Sequence, residues 1–492
     1  MKKMISISIP MLLILAMVCS VFAEPVEVLQ PGWQGTLSGI DGVLSVTEIP
    51  LDEGHLFNEE YLVVFEQPLD WKNPEAGTFP QRVLICLRED AAVNVISTAG
   101  YALADVKIGN QVPNPEQLLK NPAIVAEPAV LLEGNYIQIE HRFFGKSRPE
   151  ALRNDEITDW EYYTAENAAN DYHRIYTALA PLLSGKWIAT GASRGGDMTN
   201  TYGYFFPGDM DVYMPYVAPS GMLREDSRFY PFVYEEIGNT AFGEEKAAEI
   251  RAMLLSFQLM LMTHKAEILP KFEAVAQQMG CIFRPQVDLA VVYDVCAQEF
   301  GTQYWQYQSM PFENVQQVLD MPETTPEELQ SKLDEALRLM IQIQSPSDFS
   351  ANIWAWPYYV NAATTYGQFR YDFSAIRRVL EEAGVKDALS VTKEMEEGLI
   401  WNIVFTDEQK AAFVYDGSYR QAMLEALKTT DAKYLMIFGA TDPWTSVGIT
   451  ECDNPNVKIY IHPTLPHSAS VSTMPEEMRT EVTAVLQEWL AP

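Results

Sequence analysis

Ser193 lies in Gly191-Ala-Ser-Arg-Gly195, a G-x-S-x-G pattern, and a serine held on a sharp strand-to-helix turn can serve as a nucleophile. The flanking glycines let neighbouring backbone approach such a turn closely. A serine hydroxyl at neutral pH needs a general base, and that base needs a carboxylate to orient it. The chain has six histidines: His55, His141, His173, His264, His462 and His467. On this kind of elbow the acid and then the histidine follow the serine along the chain, so the first three are out of order. His264 falls in a helical stretch, where a solvated or core histidine is the plainer reading. His467 follows Pro463-Thr-Leu-Pro466 in the loop after an apolar run and is the expected base, with His462 as the alternative. Asp442, in Phe438-Gly-Ala-Thr-Asp-Pro-Trp444, directly follows another apolar run and is the expected acid. Charge developing on a carbonyl oxygen needs two backbone N–H donors. One is expected from Arg194, the other from Tyr101 or Gly100 in Thr98-Ala-Gly-Tyr101. This set performs acyl transfer and needs no cofactor and no metal.

These residues must be held by strands that end beside one another. Tyr61–Glu66, Arg82–Leu87, Val93–Ser97 and Tyr136–Glu140 read as strands, preceded by Pro- and Gly-punctuated irregular chain up to about residue 56. A long helix follows, capped by Thr164, with Ala168, Tyr172, Ile175, Tyr176, Leu179 and Leu183 on one face. Lys186–Thr190 is the strand before the serine, Gly195–Phe205 the helix after it, and Val212–Pro219 a further strand. Strands alternating with helices predict a mainly parallel sheet covered on both faces. From 222 to 425 the pattern turns helical, rich in Met and Glu, with aromatic clusters at Tyr304–Tyr307 and Trp354–Tyr359. That stretch reads as a helical cap inserted before the penultimate strand. The core is expected over 24–221 and 426–492, ending in the strands 433–439 and 456–462 and a helix started by Pro475.

Composition sets outer limits. Of 492 residues 48% are hydrophobic and 21% charged, which fits a folded chain with a large core. Sixty-seven acids against 34 Lys and Arg give a net charge of −33, which argues against nucleic acid as a partner. Lys2 and Lys3, the apolar run Ile5–Val18 and Val21-Phe22-Ala23 have the form of a secretory signal peptide over 1–23. A lipoprotein anchor on Cys19 is disfavoured because Val18 is bulky. No other stretch reaches the ~18 apolar residues of a membrane span. The chain is thus expected to be secreted or periplasmic. In an oxidising compartment Cys86, Cys281, Cys296 and Cys452 can pair, and Cys281–Cys296 is the favoured bridge. No His clusters with a Cys pair, so a structural zinc site is not expected.

Several co-linear motifs resemble one family. They are Gln67-Pro-Leu-Asp-Trp71, Gly77-Thr-Phe-Pro-Gln-Arg-Val83, Glu140-His-Arg-Phe-Phe-Gly-Lys-Ser-Arg-Pro149, Asn170-Asp-Tyr-His-Arg-Ile175, Trp187–Gly196 and Phe438–Trp444. Together they resemble the secreted bacterial serine tripeptidyl aminopeptidases, which are related to the prolyl carboxypeptidases. The resemblance covers about 57–220 and 433–490. It implies an α/β-hydrolase core with a helical cap and a triad of Ser193, Asp442 and His467. It also implies release of short peptides from free N-termini, with a proline preference. Arg194 stands where lysine is usual, an exchange expected to alter only an exposed flank, and Ala99 stands where an acid is expected. An enzyme that releases tripeptides must bind an amine roughly 10 Å from the scissile carbonyl, since extended chain spans ~3.3–3.6 Å per residue. Glu140 is a candidate partner for that amine, with a buried pairing to Arg142 or Arg148 as the structural alternative. Trp354, Trp356 and Tyr359 are candidates for the wall beyond it. A lipase or esterase, a prolyl carboxypeptidase-like hydrolase and a non-catalytic binding protein are the rival readings. An ester-to-amide rate ratio separates the first, blocking either peptide terminus the second, and active-site labelling the third.

Overall fold

In the computed structural model, which describes residues 32–51, 53–103, 125–149, 160–221, 223–353 and 355–491, the apolar segments form one mixed nine-stranded sheet. Its strands are β1 (Val43–Glu48), β2 (Glu59–Pro68), β3 (Thr78–Leu87), β4 (Val93–Thr98), β5 (Asn135–Ile139), β6 (Lys186–Ala192), β7 (Val212–Tyr216), β8 (Tyr434–Gly439) and β9 (Val457–His462). They lie in the order β1-β2-β3-β5-β4-β6-β7-β8-β9. The pairs β1–β2, β2–β3 and β3–β5 are antiparallel, and every pair from β5 to β9 is parallel. All residues of β4 and β8 are buried, as expected for parallel strands covered on both faces. Apart from the added edge strand β1, this is the α/β-hydrolase strand order.

The segment before residue 57, expected to be irregular, contains a short helix, Trp33–Ser38, as well as β1. Only one neighbour pairs with β1, and none of its residues is fully buried, so it lacks the apolar alternation that marks a strand.

Helix α1 (Ala165–Leu179) is capped by Thr164, whose hydroxyl accepts from the Asn167 N–H, and Ala168, Tyr172, Ile175 and Leu179 are buried. Helix α2 (Arg194–Phe205) begins at the residue after Ser193. Between β7 and β8 the chain is almost wholly helical and includes α3 (Glu244–Thr263), α4 (Leu289–Tyr307) and α5 (Pro326–Ile343). Phe257 of α3 stacks on Phe300 of α4 with ring centroids 4.5 Å apart. This region is fastened to α2 by Arg420, which forms a buried ion pair with Asp197 and lies over the Tyr366 ring at 4.8 Å. Helix α6 (Glu476–Trp489) ends the chain, packing Val482, Leu486 and Trp489 inward.

Cys281 and Cys296 do not form the expected bridge. All four described cysteines are free thiols, with Cys86 and Cys296 fully buried among apolar neighbours. Among the described residues no helix is long and apolar enough to cross a membrane. The expected leader at 1–23, with Cys19, lies outside the described residues.

Candidate active site

Four loops converge at the carboxyl ends of β4, β6, β8 and β9, where open α/β sheets hold their ligands. Ser193 follows β6 directly, with φ 57° and ψ −123°, a backbone conformation that a non-glycine residue adopts only when its surroundings enforce it. The enforcement is visible. The Ser193 N–H donates to the Tyr216 carbonyl at 2.9 Å, and the Ser193 carbonyl accepts from Asp197 in the first turn of α2. A Cβ on Gly191 would sit 2.4 Å from the Gly195 carbonyl oxygen, and one on Gly195 would sit 2.8 Å from that of Thr98. The Thr98 hydroxyl reaches the carbonyls of Thr190 and Gly195, so β4 is stitched to the elbow.

His467 Nδ1 lies 2.7 Å from Asp442 Oδ2, and Asp442 is fully buried. The other Asp442 oxygen accepts from the Trp444 N–H at 3.1 Å. These contacts fix the Asp442 carboxylate against the ring. His467 Nε2 is buried and has no hydrogen-bond partner among the described residues. The loop carrying His467 is held from two sides. Its backbone N–H donates to the Gln306 carbonyl at the end of α4, at 3.1 Å. Beyond it, Glu127 accepts from the N–H groups of Val471 and Ser472, from the Ser472 hydroxyl and from Tyr216. Sequence reasoning missed Glu127, whose role is set by contacts more than three hundred residues away. His462, the alternative base, is otherwise engaged. Its Nδ1 accepts from the Thr464 and Leu465 N–H groups, and its Nε2 contacts the Thr473 carbonyl.

Arg194 departs from expectation. It is no exposed flank: only 4% of it reaches solvent. Its Nε donates to the Gly100 carbonyl at 2.6 Å, and Nη2 donates to the Tyr163 hydroxyl and the Asn361 side-chain oxygen. Tyr101, Phe144, Tyr358 and Tyr366 surround the guanidinium, all with centroids 5.5–5.8 Å from Cζ. The backbone N–H of Arg194 is the first of α2, where no intrahelical acceptor exists. Gly100 packs so tightly on the elbow that a Cβ would lie 2.7 Å from the Gly195 nitrogen. Tyr101, next in the chain, lines a cavity of about 220 Å³ together with Ser193 and Arg194.

Glu140 is not part of this cavity. It is fully buried and paired with Arg82, and it also accepts from the Leu103 N–H and the Ser147 hydroxyl. Arg142, one of its expected partners, is taken by a different acid. Its guanidinium pairs with both oxygens of Asp171, while Trp71 Nε1–H donates to Asp171 and Asn167 accepts from the Trp71 N–H, so this segment is structural. Trp356 is fully buried too, packed on Trp160 and Phe405 with its Nε1–H donating to the Val404 carbonyl. It belongs to the core of the helical region and is not among the residues lining the cavity at Ser193. Trp354 lies outside the described residues. Tyr359 does line the cavity, as does Tyr358 of the same aromatic cluster, together with Glu299 and Asp348, which the sequence did not single out.

The strand order and the elbow at its centre define a serine hydrolase of the α/β-hydrolase fold. The family model described as PS-10 peptidase S37 matches residues 34–388, and the chain belongs to that family. It is a serine peptidase. The matched span contains Ser193 and ends before Asp442 and His467. The chain is 24% identical over 436 residues to a prolyl tri/tetrapeptidyl aminopeptidase from Streptomyces mobaraensis, covering 87% of this chain and 80% of that protein. Among solved structures it is similar to a proline iminopeptidase from Mycobacterium smegmatis, with 14% identity, 87% and 98% of the two chains covered and a TM-score of 0.37. It is also similar to a peroxisomal α/β-hydrolase from Saccharomyces cerevisiae, with 11% identity, 90% and 89% covered and a TM-score of 0.34.

Proposed function

We propose that this chain is an exported exopeptidase that releases short peptides, tripeptides foremost, from free N-termini, with proline favoured before the cut bond. Ser193 is its nucleophile, His467 its base and Asp442 the orienting acid. The observation that carries this reading is His467 itself, tied to Asp442 through Nδ1 and carrying a buried, unpartnered Nε2. That nitrogen takes the Ser193 proton as Oγ attacks the scissile carbonyl, and the Asp442 carboxylate stabilises the imidazolium that results. The oxyanion is met by the N–H of Arg194, at the positive end of α2, and by that of Tyr101. Tyr101 is preferred over Gly100 because it lines the cavity with Ser193. The proton then passes to the departing amine, and water releases the peptide from the acyl-enzyme.

The region from 222 to 425 acts as the cap over this cleft. A proline preference is supported by the name of the Streptomyces relative and by the aromatic lining of the cavity, including Tyr358, Phe369 and Trp444. Export is supported by the basic start and apolar run of residues 1–23. The test compares tripeptidyl amides with free and acetylated N-termini, alongside fluorophosphonate labelling of Ser193. Strong preference for the free amine, with labelling lost in Ser193→Ala, is the expected result. Equal rates would mean an open cleft and an endopeptidase or esterase.

A further inference from the structure

Ser193 and Arg194 stand at one part of the 220 Å³ cavity, and two acids, Glu299 and Asp348, stand on its wall. Several other deeply buried carboxylates of this protein are neutralised. Glu140 meets Arg82, Asp171 meets Arg142, Asp197 meets Arg420, and Asp294 meets Lys265. Glu127 lacks a cation but is met by four hydrogen bonds. Glu299 differs. Only 6% of it is exposed, yet it receives just the Tyr371 hydroxyl and a long contact from Gln303, and no Lys, Arg or His lies within ion-pair distance among the described residues. Asp348 likewise has no cation and accepts from Gln344 Nε2 at 3.0 Å.

A buried carboxylate left this way is costly unless a cation arrives from outside. Burial pushes the Glu299 carboxyl up to about 7 and that of Asp348 to about 6, and the Asp348 charge further opposes ionisation of Glu299. Trp444 Nε1–H, on the same wall, is buried and also lacks a partner, so the cavity offers a donor to a guest carbonyl as well.

We propose that Glu299, seconded by Asp348, receives the α-ammonium of the peptide, and that α4 sets the separation between that subsite and the loop of the base His467. The inference rests on the aminopeptidase reading given above. Helix α4 carries Glu299 and, seven residues on, Gln306, whose carbonyl holds the backbone of His467. At 1.5 Å per residue that separation is about 10 Å along the helix axis. Three extended residues span about the same length, since each covers ~3.3–3.6 Å. A dipeptidyl group falls about one residue short, and a longer one must buckle.

The experiment measures KM and kcat for tripeptidyl amides, free and N-acetylated, in the wild type, Glu299→Gln, Asp348→Asn and the double variant. Labelling by a small fluorophosphonate, which carries no ammonium, reports on the nucleophile in each. For Glu299→Gln we expect KM for the free amine to rise about 10²-fold, because a buried charge pair is lost. The advantage of the free over the acetylated substrate should then shrink toward unity in the double variant. A double variant that labels normally and keeps the wild-type free-to-acetyl ratio overturns the assignment. If Glu299→Gln does not label, the comparison is read from Asp348→Asn, which must still raise KM selectively. A wild type that ignores acetylation refutes the aminopeptidase reading instead, so the two failures are distinguishable.

Discussion

The guanidinium of Arg194 donates from Nε to the carbonyl of Gly100 at 2.6 Å, tying the residue after the nucleophile to the loop after β4. Both proposed oxyanion donors, the N–H groups of Arg194 and Tyr101, are adjacent to that bond. One side chain therefore sets the distance between them. Nη2 bonds to Tyr163 and Asn361 extend the same clamp to α1's approach and to the helical region.

Arg194→Ala should lower kcat by about 10²-fold with a smaller change in KM, since misplacing a catalytic group by about 1 Å costs that much. Arg194→Lys keeps a charge but not the planar fork that reaches three acceptors, so it should recover only part of the loss. Steady-state kinetics on one tripeptidyl amide separates the outcomes. A rise in KM alone would make Arg194 a substrate contact and not a positioning residue.

Asp442→Asn should preserve the fold and lower kcat by about 10⁴-fold, because the amide favours the wrong tautomer of His467. Its fluorophosphonate labelling should slow in parallel. Circular dichroism and labelling rates on the same preparation check both halves. Retained turnover would remove Asp442 from the triad.

How much of this was legible in the sequence depends on how local the signal was. Ser193 was readable because strand, glycine, serine, glycine and helix follow one another within twenty residues. Asp442 and His467 were readable because each follows closely on an apolar strand. The proposed amine site was not. Glu299, Gln303 and Gln306 fall at i, i+4 and i+7, the spacing of a solvated helix face, while Val291, Val292, Val295, Cys296 and Phe300 mark the buried one. Here the polar stripe faces a cavity and not bulk water, which no local pattern distinguishes. Glu140 failed for the opposite reason: it sits beside conspicuous motifs, but its partner Arg82 comes from β3, and the pair is structural. Arg194 read as a flank because helix starts are often exposed, whereas here the region beyond β7 folds over it.

The motifs shared with the family carry a stability prediction of their own. Arg142 is fully buried, pairs with both oxygens of Asp171 and donates to the carbonyls of Pro68, Leu69 and Tyr162. Asp171→Ala leaves that guanidinium without a counter-charge and should destabilise the protein by about 3–5 kcal/mol. Chemical denaturation of both proteins measures it. A loss below about 1 kcal/mol would mean that the three carbonyls suffice.

Glu299→Gln should have the reverse effect on stability, and its pH dependence identifies the cause. Glu299 faces Asp348 and the hydroxyls of Tyr371, Tyr230, Tyr358 and Tyr359, while Arg194 is the cation among the described lining residues. Its folded pKa, about 7, is raised above the ordinary 4.5, first by burial. The folded state therefore binds more protons than the unfolded one between these values, and this group's contribution to stability falls as pH rises from 4.5 to 7. Above pH 7 the full penalty, about 3 kcal/mol at 1.36 kcal/mol per pKa unit, is present. Replacing the acid by its neutral isostere removes it while leaving an oxygen to accept from Tyr371. Thermal unfolding should thus show Glu299→Gln more stable than the wild type at about pH 8 and equal to it near pH 4. A short peptide with a free amine should narrow the gap at the higher pH by stabilising only the wild type. A variant less stable there would mean that the carboxylate serves the fold, and the cavity would lose its reason for holding an unpaired charge.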